Sequence, residues 1–430
     1  MDDDQQDKMA SLPAPGQLAR RQFIARGAAA SVAAISGASL LPGVAQAADN
    51  LPPNVPQWMQ QQGSGFLNPA YGQPSPFEKK VVRKLPDQGA AFPTATRTPL
   101  QSLFGATTPN GLFFERHHGG VPAIDPAEHR LMLHGLVDRP LLLSLQDLMR
   151  FPAVSRSHFI ECSGNSFAEF KVPGNGTVQD IHGLVSAAEW TGVLLSVVLA
   201  EAGVQPSASW ILAEGADAAA MTRSIPLAKA LDDAILVYGQ NGEMLRPEQG
   251  YPLRLLLPGF EGNMSIKWLR RLKVGDAPFQ TREETSKYTD LMPDGRARQF
   301  TFVMGVKSVI TAPSARQQLG EAGFREISGL AWSGHGRITR VEISINGGQS
   351  WQAATLDGPV QSRALTRFRL PWIWRGEEAI LQSRAYDEAG NRQPARTELL
   401  ALDGVNSSYH YNAIQSWQVS AKGEVSNVHV

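Results

Sequence analysis

A single cysteine, Cys162, stands among 430 residues, so folds stapled by internal disulfides or by a multi-cysteine zinc site are closed to this chain. The thiol lies in the run His158-Phe-Ile-Glu-Cys-Ser-Gly-Asn165, after a strand-like stretch and before a turn, where a backbone is able to approach a ligand closely. If functional, it is a ligand, a nucleophile or a redox centre. A free cysteine is also, and more often, a small buried hydrophobe.

The N-terminal segment narrows the setting. Arg20-Arg21-Gln22-Phe23-Ile24 precedes a weakly apolar, Ala-rich run from Gly27 to Val44 and the small-residue site Ala45-Gln46-Ala47, the pattern of a twin-arginine export signal cleaved before Ala48. An ordinary secretory signal is the alternative. The run is too short and too poor in Leu, Ile and Phe to span a membrane, so residues 1–47 are expected to be removed and the mature chain to work in the periplasm. Because this route carries folded proteins, a bulky cofactor taken up before export is the first expectation. The leader contains Lys8, Arg20, Arg21 and Arg26 against Asp2, Asp3, Asp4 and Asp7 of a chain with 40 basic and 40 acidic residues. The mature protein therefore stays formally neutral, without the basic excess of a nucleic-acid binder, and no later segment is apolar enough for a membrane span.

Residues 48–100 are rich in Pro, Gln and Gly and read as an extended arm. From 101 to 275, short apolar runs at 131–135, 235–238 and 253–257 alternate with expected helices at 144–149 and 190–202, a mixed α and β domain. Residues 276–300 are polar and turn-rich and read as a linker or an excursion over a site. From 301 to 430 the character changes: the alternation Val341, Ile343, Ile345 runs into Asn346-Gly-Gly348, and 385–391 forms another strand entering a turn. This reads as an immunoglobulin-like β-sandwich without its cystine. The fold class is thus α+β.

Three runs carry chemistry. Phe113-Phe-Glu-Arg116-His117-His118-Gly-Gly puts a guanidinium and an imidazole in a Gly-rich loop, a source of donors to an anion, though a solvated loop with an incidental Arg reads the same way. Cys162-Ser163-Gly-Asn165 is the second. In the third, Gln249-Gly-Tyr-Pro-Leu-Arg254 followed by Ser265-Ile-Lys267-Trp268, Arg254 interrupts an apolar strand. Such a cation needs an anionic partner or a desolvated phosphate, unless the strand is an edge with its charge turned outward. No Cys-x-x-Cys-His is present, so the chain carries no c-type haem, and any electrons leave through a partner.

In this order the three runs resemble the sulfite oxidase family of molybdenum enzymes, whose pattern is Arg-x-His, Cys-x-Gly-Asn, and Gly-aromatic-Pro-hydrophobic-Arg followed by Ser-x-Lys-Trp. The resemblance implies a molybdopterin-binding catalytic domain followed by an immunoglobulin-like dimerisation domain, hence a homodimer. It implies molybdenum held by a molybdopterin and by the thiolate of Cys162. Arg116, His118, Ser163, Gln249, Arg254, Ser265 and Lys267 would then surround the cofactor, and Tyr288, in the linker, would be the active-site tyrosine beside Arg116 and Cys162.

The departures from the pattern refine the expectation. Members that oxidise free sulfite have an arginine five residues after the cysteine, where this chain has Phe167, and another near the C-terminus, where alignment on Ser416-Trp417 gives His410. Gln249 stands where the family has a histidine. Two lost guanidiniums forfeit about 1.5–3 kcal/mol each toward a small dianion. A pocket of Phe167 and His410 resembles instead the sulfane dehydrogenase branch, which implies oxidation of sulfane sulfur on a thiol-bearing carrier protein, with a dihaem c-type cytochrome taking the electrons. A sulfite dehydrogenase, or a non-enzymatic sulfur carrier or scaffold that has lost its metal, are the other readings. Roles for His182 and His410 toward substrate stay open at this level.

Overall fold

Apolar alternation sets two sheets in the first half of the chain. In one, Ala153–Glu161 pairs with Val185–Leu194, which pairs with Ile235–Gln240, itself flanked by Glu243–Met244 and by Arg254–Leu256, all antiparallel. In the other the order is Leu141–Leu143, Leu131–Gly135, Leu269–Gly275, Trp210–Gly215, Thr222–Pro226. There Leu131–Gly135 and Leu269–Gly275 run parallel, and the remaining pairs are antiparallel. Val193, Leu236 and Leu255 of the first sheet and Leu133, Ile211 and Leu272 of the second share one buried cluster with Val198 and Leu199 of the helix Leu195–Ala202. This computed structural model describes residues 59, 70–87 and 94–430, of which Ser75–Val430 form one compact unit. The expected leader and the larger part of the proline-rich arm lie outside the described residues.

One expectation is corrected here. The helix expected at 190–202 is half strand: Val185–Leu194 is extended through Trp190, and only Leu195–Ala202 is helical. The three-and-four spacing of Val193, Val197 and Val198 mimicked an amphipathic helix, but Trp190 pairs with Gln240 and Val193 with Leu236 in the ladder. Gly192 marks the strand, since a Cβ there would come within 2.1 Å of the Leu236 carbonyl oxygen.

The second half is the sandwich. A four-stranded sheet of Lys307–Ala312, Gly323–Trp332, Thr366–Trp374 and Thr355–Leu356 accompanies a five-stranded one of Gln352–Ala353, Ile338–Ser344, Ala379–Asp387, Ser416–Val419 and Val425–Val428. Val341 and Ile343 are buried with Trp332, Phe368, Trp374 and Trp417 in a core that needs no cystine. That core continues into Phe159, Val178, Val185 and Ala187 of the first half, so the sandwich shares its interior with the strand leading to Cys162. Between the halves, residues 276–300 carry a helical turn, Arg282–Thr285, and a small hairpin, Asp290–Leu291 with Ala297–Arg298. Among the described residues, no helix is long and apolar enough to cross a membrane.

Candidate active site

The strand Ala153–Glu161 ends where the chain must turn. Cys162 donates its N–H to the Leu184 carbonyl at 3.0 Å and accepts the Asn165 N–H at 2.9 Å. The turn sets the thiol, partly exposed, on the wall of a cavity that Arg116, Gln249, Arg254, Lys267 and Tyr288 also line. Burial pushes the thiol's pKa up while the Arg116 guanidinium pulls it down. Gly262 lets a second loop press on the turn, for a Cβ there would lie 2.7 Å from the Glu161 carbonyl oxygen.

Besides Arg116, two buried basic side chains line the same cavity. Arg254, 3% exposed, opens the strand Arg254–Leu256 and donates to the carbonyls of Gln249 at 3.0 Å and Ser265 at 3.3 Å. Its guanidinium lies over Trp190, 5.1 Å from the ring centroid, and its Nε has no partner. Burial without a compensating carboxylate brings its pKa down to about 9. Lys267 is lowered well below the ordinary lysine value by burial and by Arg254 beside it. Its ammonium donates to His117 Nδ1 and to the Glu248 carbonyl, each at 2.9 Å. Burial and Lys267 hold His117 at a pKa of about 3, so its neutral ring accepts at Nδ1 and donates from Nε2 to Glu115 at 2.7 Å. Gln249 donates to the Phe114 carbonyl at 2.9 Å, and the Ser265 hydroxyl accepts the Leu257 N–H at 3.1 Å; both residues line the cavity.

Tyr288 closes another part of the wall. Its hydroxyl is 2.8 Å from His118 Nε2, and the Arg223 guanidinium covers its ring, 5.4 Å from the centroid. His118 is held neutral, at about 4, by burial and by Arg116. Burial also pushes the Tyr288 phenol far up, so it stays protonated and able to donate. A wider cleft continues from Cys162 past Arg116 and Tyr288 to a mouth lined by Arg97, Arg282, Lys287 and Phe167, the last 55% exposed.

The structure therefore gathers Cys162, Arg116, His118, Gln249, Arg254, Ser265, Lys267 and Tyr288 around one space. Phe167 stands at its mouth. Ser163 is 1% exposed and does not line the space; its hydroxyl accepts from Asn263, which does, at 3.2 Å. His410 does not line the space either. Its backbone N–H donates to the Ser163 carbonyl at 2.8 Å, its φ is 63°, and its ring faces Glu261 at 3.7 Å, leaving Ser408 and Tyr409 at the cleft. His182 is a core residue, 0% exposed, bonded to the Ser166 hydroxyl at 2.6 Å and to Gln415 Oε1 at 2.9 Å. Sequence reasoning passed over His117, Asn263 and Arg223. For Arg223 the local sequence, Thr-Arg-Ser-Ile-Pro, gives no cue like the one that marked Arg254, because polar residues flank the cation on both sides.

What fits this space is readable from its donors. Arg254, buried with no described carboxylate beside it, and Lys267, which Asp217 and Glu248 offset only in part, ask for an anion such as a phosphate. The thiol offers one soft ligand, and no group of three or more His, Cys, Asp or Glu among the described residues could hold a metal. A metal on Cys162 must bring its other ligands with it, as one carried by an anionic organic cofactor does. The residues present fit a molybdopterin.

Comparison with known proteins agrees with the geometry. Residues 118–283 match the oxidoreductase molybdopterin binding domain, and residues 298–417 the Mo-co oxidoreductase dimerisation domain. Mitochondrial sulfite oxidase of Homo sapiens is 34% identical over 322 residues, covering 67% of this chain and 57% of that protein. The chain thus spans less than three-fifths of the mammalian relative's length. Sulfite oxidase of Gallus gallus is 31% identical over 376 residues, 80% of this chain and 81% of its own. A crystal structure of the sulfane dehydrogenase SoxCD from Paracoccus pantotrophus superposes with a TM-score of 0.85 at 46% identity, covering 88% of this chain and 98% of that one.

Proposed function

Since the chain belongs to the sulfite oxidase family of molybdopterin oxidoreductases, we propose that it is an exported molybdenum enzyme that oxidises sulfane sulfur on a carrier protein's thiol and passes the electrons singly to a dihaem c-type cytochrome. The observation that carries the reading is the pairing, in one cavity, of the chain's only thiol with Arg254 and Lys267, two buried basic side chains that form no ion pair at salt-bridge distance among the described residues. When bound, molybdenum in a pterin supplies two-electron oxygen-atom transfer. Cys162 would hold the metal through its thiolate, the form that burial alone disfavours and that a bound metal would favour. Arg254, Lys267, Arg116, Gln249 and Ser265 hold the cofactor and its phosphate. His118 fixes the Tyr288 hydroxyl, which would be placed to hydrogen-bond the reacting group.

The substrate choice is supported by the likeness to the sulfane dehydrogenase and by Phe167 at the mouth, where the sulfite-oxidising pattern has an arginine. The homodimer is supported by the match of residues 298–417 to a dimerisation domain. A second reading, oxidation of free sulfite, is favoured by one observation: Arg97, Arg116, Arg282 and Lys287 line the cleft, and no carboxylate does. Molybdenum analysis tests the cofactor, and kcat/KM measured with carrier-bound persulfide and with sulfite separates the substrates. A higher kcat/KM for the carrier is expected; the reverse order supports the sulfite reading.

A further inference from the structure

The turn that carries Cys162 is gripped from beneath by the sandwich. Glu161, immediately before it, is 1% exposed, and its carboxylate accepts from Lys307 Nζ at 3.0 Å, from Trp332 Nε1 at 2.7 Å and from Asn165 Nδ2 at 2.9 Å. The same ammonium reaches the Ser166 hydroxyl at 3.1 Å, and it lies 5.7 Å from the centroid of the Trp332 ring. Ser166 holds a left-handed conformation, φ 67°, that a non-glycine residue adopts only when its surroundings impose it. The Ser163 carbonyl is held by the His410 N–H at 2.8 Å. Positions 161, 163, 165 and 166 are thus each fixed by a buried hydrogen bond, while the side chain between them, Cys162, lines the cavity.

We infer that Lys307 and Trp332 are positioning residues for the reaction: by holding Glu161 and Ser166 they set the direction in which Cys162 presents its sulfur. A buried ion pair is weak in stability terms, and apolar residues of like volume serve a core as well or better. Its location at this turn, with all three donors converging on the residue next to the thiol, points to position rather than to stability. The sandwich is then a part of the active site as well as a dimerisation unit. The inference rests on the reading of Cys162 as the metal's thiolate.

Because Cys162 is the only cysteine, its alkylation rate in cofactor-free protein reports the turn at a single site. Lys307→Met, Trp332→Phe and the double variant Glu161→Gln/Lys307→Met are compared with the parent. The double variant leaves no buried charge unpaired, and Trp332→Phe withdraws one hydrogen bond while keeping a ring, so these report even if Lys307→Met fails to fold. Expected are native circular dichroism, thiol alkylation at least about ten-fold faster, and, in molybdenum-loaded protein, a shifted thiolate-to-metal absorption band. With these, kcat falls about 100-fold at unchanged KM, the scale of a 1 Å misplacement. Parental alkylation rates and an unmoved band in folded Trp332→Phe and double variant overturn the inference. Molybdenum content of the parent, measured alongside, tests the underlying reading separately.

Discussion

The hydroxyl of Tyr288 stands 2.8 Å from Nε2 of His118, joining the linker at 276–300 to the loop that carries Arg116. Both groups are neutral in the folded protein, since burial lowers the imidazole to about 4 and raises the phenol. The pair is therefore a hydrogen bond between uncharged partners, available as a donor across the neutral pH range. Tyr288→Phe is expected to lower kcat/KM by about 10²-fold, within the range for a positioned proton donor, with molybdenum content unchanged. Steady-state kinetics and metal analysis on one preparation check both halves.

Arg254 carries a prediction of opposite sign in two states. Its burial without a carboxylate costs the cofactor-free fold, and the Nε has no partner. Arg254→Met is therefore expected to unfold at the same or a higher temperature than the parent when both lack cofactor, within about 1–3 kcal/mol. The loaded comparison should reverse, the variant losing stability and retaining less pterin. Calorimetry of both forms decides it; destabilisation of the cofactor-free variant removes the anion argument.

Acid stability follows from His182. Burial, with Lys307 nearby, lowers its folded pKa from 6.5 to about 3. Between those values the unfolded chain binds the proton that the native state refuses, so stability falls as pH drops below about 6.5 and continues to fall toward 3. The slope owed to one such group is about 1.4 kcal/mol per pH unit. His182→Gln, able to keep partners on Ser166 and Gln415, should show a correspondingly shallower loss in denaturant titrations run between pH 6.5 and pH 4. An unchanged slope contradicts the burial argument.

Phe167 separates the two substrates. Phe167→Arg adds a guanidinium to a mouth already lined by Arg97, Arg282 and Lys287. A charge-assisted hydrogen bond of about 1.5–3 kcal/mol corresponds to roughly a ten- to hundred-fold lower KM for sulfite. Kinetics with sulfite read it directly, and a KM equal to the parent's shows that the side chain does not reach the anion.

Cys162 and Arg254 were legible in the sequence because each breaks a local pattern, a lone thiol and a cation inside an apolar strand, whereas Arg116 and Lys267 became legible only through the order of the three runs. The sandwich was legible from the alternation at Val341 and Ile343, both now in its core. The strand through Trp190 was not, since three-and-four spacing over a few residues fits a helix as well as a buried strand. The placement of His410 beside Glu261 goes with a φ of 63° and a bond from its N–H to the Ser163 carbonyl, which alignment on Ser416-Trp417 does not contain. The clamp of Lys307 on Glu161 joins residues 146 positions apart, and no local periodicity reports such a pairing.

The central claim is that Cys162 binds molybdenum in the cavity that Arg254 and Lys267 also line. Metal analysis of protein matured with its cofactor, comparing parent and Cys162→Ser, tests it most directly. Equimolar molybdenum with turnover in the parent, and no turnover in a folded Cys162→Ser, is the predicted result. Full activity in Cys162→Ser, or folded and active parent free of molybdenum, contradicts the account.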